Sequence, residues 1–237
     1  MLDNPKNTFS QRLAEVRSRI AAACQRCGRV PGEVTLVAVS KTFPFDRIVE
    51  ARAAGQIDFG ENYMQDCLDK IAQAEARGLD CRWHFIGHLQ RNKARFLDHR
   101  FALFHGLDNL ALARRLNHFA ELGNYRVPVL VQVNIASEVT KSGVDPAGLF
   151  AFLEQLRYNE QLDVQGLMTI PPAGNPEAVR PWFAALRELF DKARERFFRN
   201  DPAFRHLSMG MSGDFEVAIE EGATLVRVGT LLFGPRG

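Results

Sequence analysis

The sequence predicts a single eight-stranded parallel α/β barrel, a (β/α)8 fold, with one extra helix at its N-terminal end. Three observations predict it. Strand-like and helix-like segments alternate along the chain. The first strand-like run, Val34–Val39, is apolar almost without interruption, the pattern of a strand covered on both faces in a parallel sheet. The length of 237 residues suits one such barrel, residues 1–237 forming one domain, rather than two independent folds.

Thr8 to Arg26 reads as the extra helix, because Phe9, Leu13, Val16, Ile20 and Ala23 recur at steps of three and four with Arg and Glu between them. Gly28 and Pro31-Gly32 stop it. Its apolar stripe is read either as a cover on the barrel or as an interface. The strand Val34–Val39 leads to a helix over Phe45–Ala54, a short strand Ile57–Phe59, a helix Asn62–Arg77 and a strand Trp83–Ile86. The alternation continues with helix Gln90–Leu97, strand Phe101–His105, helix Asn109–Leu122, strand Val129–Asn134, helix Pro146–Leu156 and strand Val164–Met168. Helix Pro176–Arg199, strand His206–Met209, helix Phe215–Glu221 and strand Leu225–Val228 complete eight strands. An open doubly wound sheet is the alternative. It calls for a glycine-rich dinucleotide turn after an early strand, and Ser40-Lys41-Thr42-Phe43-Pro44 stands there instead.

Apolar residues make up 46% of the chain and charged ones 24%, enough to build a core without disulfides or metals. The net charge of +2 gives no strong global field, and with no recognised motif, nucleic-acid binding is not expected. Arg91, Lys93, Arg95 and Arg100 form one basic segment, expected to be a solvated helix face. Apolar runs are strand-sized and Met1–Ser10 lacks the pattern of a signal peptide, so a cytoplasmic protein without membrane contact is expected. Cys24, Cys27, Cys67 and Cys81 fit a reducing compartment. Cys24 and Cys27 make a C-x-x-C late in a helix, but no second pair completes a zinc set, so they are read as ordinary thiols and no metal is expected.

Barrel active sites gather where strands end, because the βα loops converge there. Lys41 ends the first apolar run, where partial desolvation would favour the neutral, nucleophilic amine; the other reading is a lysine snorkelling to water. Arg227 interrupts the apolar strand Val226-Arg227-Val228, and a buried guanidinium needs an acceptor. A ligand is one candidate and a carboxylate such as Glu61 the other. Gly229-Thr230 follows directly and allows close approach of an anion, as does Gly210-Met211-Ser212-Gly213 after the seventh strand. Ser212 is equally well read as the cap of the helix near Phe215, and Asn62 as the cap of the helix after strand two. His84 is read as a satisfied core histidine, and Asn134, Met168 and Thr169 as wall residues.

The runs Leu36-Val37-Ala38-Val39-Ser40-Lys41-Thr42 and Phe59-Gly60-Glu61-Asn62-Tyr63 resemble the start of the pyridoxal phosphate homeostasis protein family. Trp83-His84-Phe85-Ile86-Gly87, Val133-Asn134-Ile135 with Lys141-Ser142-Gly143, and Gly166-Leu167-Met168 match in order. The closing segment Leu207-Ser208-Met209-Gly210-Met211-Ser212 with Val226-Arg227-Val228-Gly229 is the most specific match, and the resemblance spans nearly the whole chain. His88 departs from it, where proline is the more frequent residue.

The resemblance implies that pyridoxal 5′-phosphate is held as an internal aldimine on Lys41, with Arg227 facing the pyridine nitrogen; Asn62, by its place after strand two, is the residue expected to hydrogen-bond a ligand in the same mouth. It implies a phosphate held by Ser208, Met209, Ser212 and Gly213 together with Gly229 and Thr230. A guanidinium beside the ring nitrogen discourages its protonation and weakens the cofactor as an electron sink.

The barrel also resembles the N-terminal domain of alanine racemase. Racemisation needs a second acid/base, and with Tyr63, Tyr125 and Tyr158 the only tyrosines and no further domain after Gly237, none is expected to close the site. The leading expectation is a monomeric, non-catalytic carrier, buffer or regulator of intracellular pyridoxal phosphate that hands it to dependent apoenzymes. A weak amino-acid racemase and a partner-binding sensor are the alternatives.

Overall fold

A computed structural model describes residues 8–138 and 140–235; Met1–Asn7, most of the segment read as lacking a signal peptide, lie outside them together with Val139, Arg236 and Gly237. The eight strands are β1 (Thr35–Val39), β2 (Asp58–Glu61), β3 (Arg82–Phe85), β4 (Phe101–Leu107), β5 (Val127–Gln132), β6 (Leu162–Met168), β7 (His206–Ser208) and β8 (Leu225–Val228). All pairings are parallel, each strand lies beside the next in sequence, and β8 closes onto β1. The closed barrel therefore replaces the open-sheet alternative.

The helices are α1 (Phe9–Arg26), α2 (Phe45–Ala53), α3 (Met64–Ala76), α4 (Leu110–Gly123), α5 (Leu149–Leu156), α6 (Pro176–Phe197), α7 (Phe215–Glu220) and α8 (Thr230–Phe233). The last was not anticipated from the sequence. The segment predicted as a helix over Gln90–Leu97 is instead a 3₁₀ helix over Arg91–Phe96. A run this short has little to offset helix nucleation, and Arg91 and Arg95 would place like charges one turn apart. Lys93 and Arg95 lie against the Phe96 ring, and Arg100 pairs with Asp98.

α1 is a cover for the barrel. Thr8 caps it, its hydroxyl accepting from Gln11 N while Gln11 Oε1 accepts from Thr8 N. Phe9, Leu13, Val16 and Ile20 are buried in the layer between barrel and helices, each contributing about 1.5–3 kcal/mol of apolar burial. Arg19 and Arg26 then tie α1 to Glu216 and Glu220 of α7.

Strand parity sorts the side chains into two cores. Trp83, Phe59, Phe85 and Phe104 pack outward with the helices, whereas Val37, Leu103, Leu130, Met168 and Leu225 form a separate cluster inside the barrel. At Gly166, with φ of +151°, a Cβ would stand 1.9 Å from the carbonyl oxygen of His206, so only glycine lets β6 and β7 come together there. The rest of the barrel interior is polar: Asp58, His84, His105, Ser208 and Arg227 are all buried.

Candidate functional site

Register places the principal residues of the mouth. Val37 lies beside Arg227, so β1 and β8 are neighbours, and Lys41 sits in the turn just past the C-terminal end of β1. Lys41 is half-buried, and the next residue, Thr42, has φ of +69°. A β-branched residue in the left-handed region is strained, so the turn that carries Lys41 is held by its surroundings rather than by local preference.

Behind this turn lies a buried ion pair. Lys70 of α3 donates to Glu61 Oε1 at 2.6 Å and to the Ser40 carbonyl at 2.9 Å, and Ser40 Oγ donates to the same Glu61 oxygen at 2.7 Å. Burial pushes the Glu61 carboxyl up, and this outweighs the opposing pull of Lys70 and Ser40. Glu61 is thus not the partner of Arg227. It follows Gly60, which is in register with Val39 of β1 and His84 of β3, so alternation turns Glu61 toward α3 while Arg227 points inward.

Arg227 is buried at 4% exposure with no carboxylate among its hydrogen-bond partners. Nη1 donates to Ser208 Oγ at 2.5 Å and Nη2 to the Thr169 carbonyl at 2.9 Å. Desolvation lowers its pKa to about 10, against a weak opposing pull from Asp214, so the group is still a cation at neutral pH.

The two glycine-containing loops meet. Gly229 N donates to Ser212 Oγ at 3.3 Å, joining the loop after β7 to the turn after β8. Ser212 therefore does not cap α7, whose N-cap is Asp214 without a side-chain bond. Gly213 and Thr230 are exposed on these turns. Gly210 has φ of +91°, and a Cβ there would clash with Ala218 at 2.6 Å.

Other expected residues are placed differently. Asn62 does not cap α3; the N-cap is Tyr63, and Asn62 Oδ1 is buried without a hydrogen-bond partner among the described residues. The Ser208 side chain faces the barrel interior rather than the loop, and Met209, one residue on, buries its side chain in the outer core while its N–H is given to Leu225 O. Met209 can offer a ligand no side chain. Asn134 bonds to Glu138 and Lys141 and so orders its own loop. Thr169 contributes its carbonyl to Arg227 and its hydroxyl to Val133 O.

The sequence reading missed two interior residues, Asp58 and His105. His84, read as a satisfied core histidine, is one: it bonds through Nε2 to Asp58 Oδ1 and through Nδ1 to His105 Nε2, both at 3.0 Å. His105 Nδ1 in turn lies 2.8 Å from Ser208 Oγ. The signal available was parity: Asp58, His84 and His105 each occupy an inward position of a strand otherwise occupied by apolar or small residues.

Fold and site together define a (β/α)8 barrel protein with a lysine turn and a buried arginine on adjacent strands of its C-terminal mouth. Residues 12–237 match the family model of the alanine racemase N-terminal domain. The chain is 46% identical over 227 residues to the pyridoxal phosphate homeostasis protein of Aquifex aeolicus, covering 95% of this chain and 97% of that one. It is 43% identical over 234 residues to the protein of that name from Escherichia coli, covering 97% of each. PipY of Synechococcus elongatus, solved with PLP bound, superposes with a TM-score of 0.82 at 38% identity, over 95% of this chain and 100% of that one. Alanine racemase from Corynebacterium glutamicum shares the fold, with a TM-score of 0.66 at 16% identity over 94% of this chain and 61% of that one. The chain belongs to the pyridoxal phosphate homeostasis protein family.

Proposed function

We propose that this protein binds pyridoxal 5′-phosphate and serves pyridoxal phosphate homeostasis as a carrier or buffer, with Lys41 as the covalent anchor. The observation that carries the reading is Arg227: a buried cation, on the strand beside the one that presents Lys41, with no carboxylate in hydrogen-bond reach. The residues fit the group. Asn62 Oδ1 is an orphaned polar atom whose amide can turn to present either its oxygen or its nitrogen. At Gly229 a Cβ would press on Val39 O at 3.3 Å, so the glycine lets the turn after β8 lie close against the end of β1.

When bound, the cofactor supplies an aldehyde that condenses with an amine, releasing water, and an aromatic ring that can accept electron density. Lys41 provides the amine. Arg227 would offer a donor to the ring nitrogen and, being cationic, would oppose its protonation, which suits holding the cofactor more than stabilising a carbanion. Ser212, Gly213, Gly229 and Thr230 would hold the phosphate, with Gly210 fixing the loop. Ser208 acts on Arg227 rather than on the phosphate. The protein is further proposed to work as a cytoplasmic monomer and to pass the cofactor to apoenzymes. Among the described residues no helix is long and apolar enough to cross a membrane.

Absorption spectra of the purified protein with added pyridoxal phosphate, before and after borohydride reduction, test this directly when followed by peptide mass mapping. A visible band fixed irreversibly on Lys41 and absent in Lys41→Ala is expected. No band in wild type, or equal binding by Lys41→Ala, overturns the anchor. Exchange of the α-proton of L-alanine at a Lys41-dependent rate would replace the carrier with a racemase.

A further inference from the structure

Six side chains on five strands, five of them buried, make one continuous hydrogen-bonded line. Arg82 begins β3 at the floor of the barrel, where its side chain is 53% exposed, and donates to Asp58 Oδ2 at 2.7 Å. Asp58 Oδ1 meets His84 Nε2, His84 Nδ1 meets His105 Nε2, and His105 Nδ1 meets Ser208 Oγ. Ser208 Oγ then accepts from Arg227 at the mouth. The line crosses the barrel from solvent at one end to the candidate ligand site at the other.

Donor and acceptor bookkeeping leaves this line one self-consistent direction when both imidazoles are neutral. An ionised carboxylate only accepts, so Asp58 requires the proton of His84 on Nε2. His84 Nδ1 is then an acceptor, which requires the proton of His105 on Nε2. His105 Nδ1 is left bare and must receive the Ser208 hydroxyl proton. The Ser208 lone pairs are thereby turned to the guanidinium. Each bond fixes the next, and the last partner to be fixed is the buried guanidinium of Arg227.

A neutral His105 suits this interior: burial first, and the nearby Arg227 guanidinium as well, push it well below the ordinary histidine range. Burial pushes Asp58 up, but the bonds from His84 and Arg82 outweigh it and hold the carboxyl below its usual range.

We propose that Asp58, His84, His105 and Ser208 are positioning residues for Arg227, forming a one-way relay through which a carboxylate on the barrel floor sets the orientation of a guanidinium at the mouth. The Thr169 carbonyl on Nη2 supplies the second fixed point, so the plane of the guanidinium is held before any ligand arrives. The part that concerns ligand affinity rests on the pyridoxal phosphate reading; the direction of the relay does not.

Two-dimensional ¹⁵N–¹H spectra that report histidine ring nitrogens test the relay in the protein without added cofactor at pH 7.5. His84 and His105 are both expected to carry their proton on Nε2 with Nδ1 bare. An Nδ1–H form or an imidazolium at either residue overturns the one-way relay. In Asp58→Ala both imidazoles should lose their fixed tautomer together, and a His105 that keeps pure Nε2–H overturns the coupling. Ser208→Ala, which removes one hydroxyl and folds without exposing a charge, should leave both tautomers in place yet weaken pyridoxal phosphate binding about tenfold, the loss expected for one charge-assisted hydrogen bond. Unchanged affinity in that variant refutes positioning of Arg227. Should wild type bind no pyridoxal phosphate, the cofactor reading fails, and the tautomer spectra still decide the relay.

Discussion

Ser208 Oγ lies 2.5 Å from Nη1 of Arg227, so the nearest partner of the buried cation is a hydroxyl rather than a carboxylate. An arginine held in this way gives up hydration without a direct ion pair in return, and such a residue is kept for recognition more than for stability.

Arg227→Met should therefore alter stability by less than about 2 kcal/mol in either direction, because relief of the desolvated charge offsets the loss of two hydrogen bonds. Urea unfolding checks the stability and a pyridoxal phosphate titration the function. Binding should weaken by at least about tenfold in the same variant. A large stability loss would mean that the guanidinium is a structural element first.

Acid should unfold the protein through its interior histidines. Burial, then neighbouring positive groups, holds His105 far below the usual histidine range, and burial, then Arg205 and His84, lowers His206 to about 4. Both groups are neutral when folded and charge when unfolded, so the unfolded state binds more protons as pH falls below about 6.5. Stability should fall by about 1.4 kcal/mol per pH unit for His105 from that point downward, with a smaller contribution from the less buried His206 that ends near pH 4. Denaturant midpoints between pH 7.5 and 4.5 measure the slope. His105→Gln should flatten it.

Breaking the Lys70–Glu61 pair should be costly because both side chains are buried. Lys70→Met leaves a carboxylate without its cation and should destabilise by about 3–5 kcal/mol near pH 7.5. Since burial already raises the Glu61 pKa, acidification neutralises the stranded group and the deficit should shrink as pH falls toward 5. Adding Glu61→Gln should restore much of the loss at neutral pH. A double-mutant cycle by urea unfolding reads the coupling, and near-zero coupling would contradict the pairing.

Thr42→Gly should raise the thermal midpoint or leave it unchanged, since glycine adopts φ of +69° without the cost of about 1–2 kcal/mol that a branched side chain carries there. The same change loosens the turn next to Lys41, and pyridoxal phosphate release should quicken. Stopped-flow dilution measures it. A variant that is markedly less stable would show that the Thr42 side chain is needed where it stands.

The linear order of elements was legible because hydrophobic period reports burial locally. Val34–Val39 announces a strand covered on both faces, and Phe9, Leu13, Val16 and Ile20 announce one helix face. Lys41 and Arg227 stood out for the same reason, as cations at the end or in the middle of apolar runs. Short segments were less legible: six residues at Arg91–Phe96 carry too little periodic signal to separate a 3₁₀ turn from an α-helix, and the end of β7 at Ser208 decides which neighbour faces in.

What the sequence determined by itself was therefore the barrel, the strand ends at which chemistry gathers, and the two cations of the mouth. Tertiary structure alone decided their partners. Asp58, His84, His105, Ser208 and Arg227 lie on five strands, and no local pattern joins them. Only closure of β8 onto β1 turns their inward positions toward one axis, where each polar group, cut off from water, must take the nearest other polar group as its partner. Closure likewise sends Glu61 outward to Lys70 and leaves Arg227 with Ser208.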